Sequence, residues 1–253
     1  MLTSLNTSLA SSRPNNSACS LNKLLATLPA GEYQRLQGNL ILMPLNMRQV
    51  LHKEGQPFRE VYFPSGGACS LTKTMQDGQT AEVATIGSEG VIGAGVFFGD
   101  RLSASDTFVQ VAGCSAYKIS TEHFMAEMER REALYNRVTR YTQALLTQVM
   151  QTTVCNGLHS AEQRCCRWLL MTCDRVGTTE LKLTHEFLAI MLGVRRPTVT
   201  LIMQGLHAAG LVDTTRGTIN IVNLAGLEAA SCECYQSVKA NFHRLLPEIP
   251  AVG

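Results

Sequence analysis

The sequence predicts an α+β chain: an N-terminal β-roll (jelly-roll-like), a long central helix, and a C-terminal helix-turn-helix followed by a β-hairpin wing. Three observations carry this. Residues 38–119 alternate short β-leaning runs with turn signals at intervals of about ten residues. Residues 121–155 hold no Gly or Pro. And "LTHEFLAIMLGVRRPTVTLIMQGL", residues 183–206, has the apolar spacing of two short helices broken at Gly193.

Composition sets the frame. The chain has 253 residues, 45% hydrophobic and 17% charged, which is globular and large enough for one large domain or two modest ones. No apolar run approaches a membrane span. The start, "MLTSLNTSLASSRPNNSACS", lacks a basic segment and an apolar core, so a loose tail over 1–19 is expected rather than a secretory signal. A net charge of +2 leaves any DNA site to local placement of cations. The nine cysteines, without an export signal, read as reduced thiols in a cytoplasm. No pair has the two-residue gap of a metal knuckle. On one helix Cys232 and Cys234 would point about 200° apart, so no metal site is expected. The six histidines (His52, His123, His159, His185, His207 and His243) are scattered and read as surface or core residues.

Taken in order, Leu21, Leu24, Leu25 and Leu28 form a short helical pattern that begins at Ser20 and ends at Pro29. The β-domain, 20–120, contains "VYFP", "SLTKTM", "AEVATIG" and "TFVQVAG", with Asp77–Gly78 as a strong hairpin signal. The helical segment, 121–158, is one helix or two end to end. Leu134, Val138, Tyr141 and Leu145 open a 4-3-4 stripe that Gln148, Thr152 and Cys155 continue. Its length favours a two-stranded dimer seam over packing on its own domain. Asn156–Gly157 is expected to interrupt the helix. In 159–253, Ser160 and Gln163 fit a capping box, and Trp168, Leu169, Leu170 and Cys173 give the next helix its apolar side. Gly226 onward reads as a final helix.

The helix-turn-helix carries the chemistry. Thr184 can cap a helix burying Phe187, Leu188, Met191 and Leu192, and Gly193 permits the sharp reversal. The next helix buries Val199, Ile202, Met203 and Leu206. Arg195, Arg196, Thr198 and Thr200 begin its other face, and Pro197 suits a first turn. A helix presented end-on to a duplex needs cations and small polar groups there, since arginine reads guanine bidentately and a helix N-terminus favours phosphate. "GLVDTTRGTINIVN" then supplies a wing, which sets Thr215 or Arg216 against the sugar–phosphate backbone. No catalytic triad or phosphate-binding glycine loop appears, so an enzyme is not expected. A signalling module whose helix-turn-helix makes protein contacts remains the alternative.

The stretch from Leu183 to Tyr235 resembles the C-terminal domain of the Crp–Fnr transcription regulators. "VYFPSGGACSLTKTMQDGQTAEVATIGSEGVIG" resembles their cyclic-nucleotide-binding-like β-roll. The likeness covers about residues 20–245. It implies a cytoplasmic homodimer on a pseudo-palindromic double-stranded DNA operator, a sensor domain for a small-molecule effector, and RNA polymerase as a further partner. It also implies an effector pocket around Gly93, Ala94, Arg101 and Ala104. There the chain departs from the cyclic-AMP-binding members. Ala94 stands where a Glu holds the ribose, and Ala104 where an Arg holds the phosphate, with Arg101 nearby. Cyclic AMP is therefore not the expected ligand, no cofactor is assigned and the effector stays unknown. Only Cys19 lies in the region of the oxygen-sensing members' N-terminal cysteine cluster, so no iron–sulfur cluster of that kind is expected. Arg196 matches a base-reading arginine, whereas Pro197 and Leu201 depart from the pattern, which implies a different operator.

Overall fold

The computed structural model describes residues 21–112 and 115–246. The tail over 1–19, Cys19 and Cys114 lie outside these residues. Two short helices lead in, α1 (Lys23–Ala26) and α2 (Ala30–Gln37). The cap of α1 is Asn22, two residues later than the sequence suggests. Its buried side chain accepts from the amides of Leu24 and Leu25 and donates to the carbonyls of Pro64 and Gly90. One side chain thus starts the helix and pins it to the β-domain.

Seven strands follow: β1 (Ile41–Pro44), β2 (Val50–His52), β3 (Glu60–Pro64), β4 (Ala68–Thr74), β5 (Thr80–Ile86), β6 (Asp106–Val111) and β7 (Ser115–Ser120). They form two antiparallel sheets, ordered β1-β7-β3 and β2-β6-β4-β5. Val61, Phe63, Cys69, Val109 and Ile119 are buried in the roll. The β4–β5 hairpin turns at Asp77–Gly78, with Gly78 at φ +83° and the Asp77 carboxylate accepting from the Gln79 amide. Between β5 and β6 a 3-10 turn spans Ala94–Phe98.

The helical segment is two helices, α3 (Thr121–Glu129) and α4 (Ala133–Leu158). The break holds Arg131 at φ +57°. The start of α4 is capped from outside: the Glu32 carboxylate accepts from the amides of Ala133 and Leu134. Asn156 and Gly157 do not interrupt α4 but lie in its last turn. The intrahelical ladder continues, and the helix ends at His159.

The stripe chosen as a dimer seam needs correction. Leu134, Val138 and Tyr141 are 2%, 1% and 0% exposed within the single chain, and Leu145 is half-buried. They pack on the chain's own core. Gly90 shows why: a Cβ there would lie 2.5 Å from the Tyr141 hydroxyl, so the tyrosine fills a notch that only glycine leaves. The apolar residues that α4 leaves outside are Leu146, Met150, Val154 and Leu158, at 51%, 52%, 50% and 77%.

The C-terminal part runs α5 (Ala161–Val176), β8 (Glu180–Leu181), α6 (His185–Leu192), α7 (Arg196–Ala208), β9 (Val212–Thr215), β10 (Thr218–Ile221), α8 (Leu224–Ala230) and α9 (Cys234–Leu245). The Ser160–Gln163 capping box opens α5 with both reciprocal bonds in place. The single final helix is two, because Ser231 and Cys232 leave the helical path between α8 and α9. This part docks on the β-roll. Trp168 on α5 donates its indole N–H to Glu82 on β5 at 2.9 Å. Glu82 also accepts from Ser70 and Thr85, and burial pushes its carboxyl up. Phe187 meets Phe108 edge-on, and Arg175 makes a buried ion pair with Glu89 at 2.9 Å. Among the described residues no helix is long and apolar enough to cross a membrane.

Candidate nucleic-acid interface

Two helices and a hairpin build the site. Thr184 caps α6 by accepting from the Phe187 amide. Gly193, at φ +62°, turns the chain into α7, whose cap residue is Arg195. Pro197 falls in the first turn, where no amide is missed. Val199, Ile202, Met203 and Leu206 are buried, which fixes the rotation of α7 and turns its opposite face to solvent.

On that face Arg195, Arg196 and Pro197 are exposed at the helix N-terminus. The nearest carboxylate to Arg196 is Glu186, 3.8 Å from its Nε, with both side chains about two-thirds exposed. Such a pair contributes about 0–1 kcal/mol and leaves the guanidinium free to exchange partners. Thr198 is half-buried. So is Thr200, whose hydroxyl donates to the Arg196 carbonyl at 3.2 Å and lies 3.3 Å from His185 Nδ1. This tie occupies the hydroxyl proton of Thr200 and fixes its side chain along the helix. Burial, and then the neighbouring Arg196 cation, push His185 below its ordinary value.

The wing is the β9–β10 hairpin, turning at Arg216–Gly217 with Gly217 at φ +77°. Thr215 and Arg216 are exposed at its tip. A cleft of about 290 Å³ runs between the starts of α6 and α7 and the wing, lined by Thr184, His185, Arg196 and Thr215 among others. Arg196 and Thr215 therefore share one cleft, while Arg195 and Arg216 stand outside it. Leu201, noted in the sequence only as a departure from the pattern, is 69% exposed, and Gln204, which the sequence reading does not single out, is also exposed. With Pro197 they follow a 4-3 spacing on the outer face of α7. The complement of the buried 199-202-203-206 set carries that signal. Lys182, exposed just before α6, adds a cation.

The β-roll positions are less gathered. Gly93 adopts φ +90° against His52, where a Cβ would lie 2.7 Å from the ring, and Ala94 is buried beside it. Arg101 lines a different cleft, with Phe58, Arg59 and Met125. Ala104 is exposed, and its carbonyl accepts from Lys73. No cation among these four positions stands beside Gly93 and Ala94.

A second cluster lies at the far end of α4, where Cys155, His159, Cys232 and Cys234 come together. The expectation that Cys232 and Cys234 diverge on a helix is corrected here. Cys232 lies outside any helix, between the extended Ser231 and the start of α9, so the helical angle does not apply.

Comparison with known proteins agrees with this layout. Residues 43–131 match the family model of the cyclic nucleotide-binding domain, and residues 163–230 that of the Crp-like helix-turn-helix domain. The chain is 24% identical over 183 residues to the global nitrogen regulator of Synechococcus elongatus, covering 68% of this chain and 82% of that one. Among solved structures it is similar to a transcriptional regulator of the Crp/Fnr family from Eubacterium rectale (20% identity, TM-score 0.64, 82% of this chain and 96% of that one). It is likewise similar to FixK2 from Bradyrhizobium japonicum (16% identity, TM-score 0.65, 76% and 98%). At these identities the structural likeness speaks for the fold.

Proposed function

We propose that this chain, which belongs to the Crp–Fnr type of transcription regulator by the two domains it carries, acts as a homodimer that reads a pseudo-palindromic operator in double-stranded DNA. The observation that carries this is the outer face of α7. It offers two exposed arginines at a helix N-terminus, of which Arg196 meets only the exposed Glu186 carboxylate at 3.8 Å, and a wing that closes one side of the same cleft. Arg196 is the base reader, and Arg195 a phosphate contact one residue earlier. Thr198, Leu201 and Gln204 face the groove beyond them. Thr215 and Arg216 are the backbone contacts of the wing, and Pro197 fixes the first turn.

Leu146, Met150, Val154 and Leu158 support the dimer. They repeat every four residues and present an apolar strip along the outer face of α4. Two such helices side by side would cover both strips by an isologous contact. Leu145, half-buried, borders the strip.

The β-roll is the sensor, for an effector other than cyclic AMP. Ala94 and Ala104 offer no charge to a ribose or cyclic phosphate, and Arg101 faces a separate cleft. RNA polymerase is the expected downstream partner, and a reducing cytoplasm the compartment. The seven described cysteines, all buried and free, support the latter.

Selection of bound sequences from random duplex DNA, with light scattering on the purified protein, tests the whole reading. A two-fold symmetric motif and a dimeric mass are expected. Enrichment of no sequence, or retention on DNA that does not depend on salt, overturns it.

A further inference from the structure

The cysteine–histidine cluster has the build of a ligand set. Cys155 lies in the last turn of α4 and His159 caps that helix, while Cys232 and Cys234 flank the start of α9. One ligand atom from each lies within 4.8 Å of the other three. Cys155 Sγ is 3.5 Å from Cys232 Sγ, and Cys234 Sγ is 3.5 Å from His159 Nδ1. A tetrahedral ion with metal–sulfur bonds of about 2.3 Å and metal–nitrogen bonds of about 2.0–2.1 Å has edges of roughly 3.5–3.8 Å. Two edges are therefore already near length, and the other four, each within 4.8 Å, shorten by at most about 1.3 Å. The three thiols are buried and form a cluster of their own, apart from the main core.

The surroundings fit as well. The Glu233 carboxylate is 3.3 Å from His159 Nε2. A carboxylate there holds the proton on Nε2 and leaves the Nδ1 lone pair, beside Cys234, for a metal. Gln151 donates its side-chain N–H to Cys234 Sγ at 3.0 Å. Arg167 is buried, and its Nε has no hydrogen-bond partner among the described residues; burial pushes the Cys155 thiol up, to about 12, and the Arg167 cation works the other way. Three thiolates, a neutral imidazole and a divalent ion leave one negative charge, which such a guanidinium offsets.

We propose that Cys155, His159, Cys232 and Cys234 form a closed four-ligand site for a thiolate-preferring divalent cation, zinc first. With no ligand position left to water, the site is structural. Each thiol gives its proton to solvent and gains a sulfur–metal bond, and the ion clasps the end of α4 to the C-terminal helix. The assignment is independent of the operator and of what the β-roll senses.

The test uses reduced full-length protein, titrated with Zn²⁺ against a chromophoric chelator and with Co²⁺ as a spectroscopic probe. One ion per chain is expected, with thiolate-to-cobalt charge transfer and tetrahedral ligand-field bands. Cys155→Ser and Cys234→Ser should lose the ion, while Cys165→Ser, in the core of α5, should keep it. Glu233→Gln alters an exposed side chain and should leave the fold intact while weakening Zn²⁺ binding by about tenfold or more. A cobalt spectrum without thiolate charge transfer overturns the assignment. So does Zn²⁺ uptake that is unchanged in both serine variants.

Discussion

The two halves of α4 carry the same kind of apolar spacing and do opposite things with it. In the first half, Leu134, Val138 and Tyr141 close against the chain's own β-roll, and Tyr141 fills the notch at Gly90. In the second half, Leu146, Met150, Val154 and Leu158 face outward. One face is covered by the chain itself, and the other is the strip proposed to meet a second chain. A periodic stripe therefore states that a surface is covered without stating by what. Only the shape opposite, here a glycine notch, identifies the partner.

The largest expected effect breaks the first half. Tyr141→Ala removes a wholly buried ring and should cost about 3–5 kcal/mol of stability in chemical denaturation. Gly90→Ala, on the opposing surface, should cost about 1–3 kcal/mol by overpacking. If Tyr141→Ala instead yields a stable monomer, the first half is the seam after all. The second half is tested by Met150→Asp. A charge in an apolar dimer face should weaken association by about 3 kcal/mol or more, roughly a hundredfold. Light scattering should then show monomers whose circular dichroism is unchanged.

The next effect sharpens what the proposed dimer is for. Arg196→Ala should cost roughly 1–3 kcal/mol on the selected operator and much less on random DNA, because a base contact carries sequence information. Arg195→Ala should weaken both DNAs alike and flatten the salt dependence by about one unit per half-site. Binding isotherms over a salt series separate the two. The smallest effect concerns the roll on which α4 leans. Burial pushes His52 below its ordinary 6.5, although its bond to the Glu60 carbonyl works the other way. The folded chain then holds fewer protons than the unfolded one just below that value, so stability rises with pH through this window and falls away beneath it. Thermal unfolding from pH 7.5 downward should show the decline, and His52→Gln should flatten it.

Much of this was legible before any coordinates. The hairpin at Asp77–Gly78, the capping box at Ser160, the turn at Gly193 and the buried face of α7 each rest on local rules, and each holds. What escaped was set by distant contacts. Thr200 is a groove residue by position, and the structure adds that its hydroxyl lies 3.3 Å from His185 Nδ1 on α6. The break before α9 carries neither glycine nor proline, so the sequence reads as a single helix, on which Cys232 and Cys234 would point apart. Asn156–Gly157 misled in the other sense, since at the end of a helix held by packing a Gly costs only about 1 kcal/mol.

The chain has a single tryptophan. Its indole N–H ends on the Glu82 carboxylate across the seam between the β-roll and the DNA-binding domain. The protein thus carries its own optical reporter, and its emission comes from this one junction. A shift in emission wavelength on adding a compound would reveal, without any dye, that the junction had changed its polarity. A library of metabolites could be screened in this way before any operator is known.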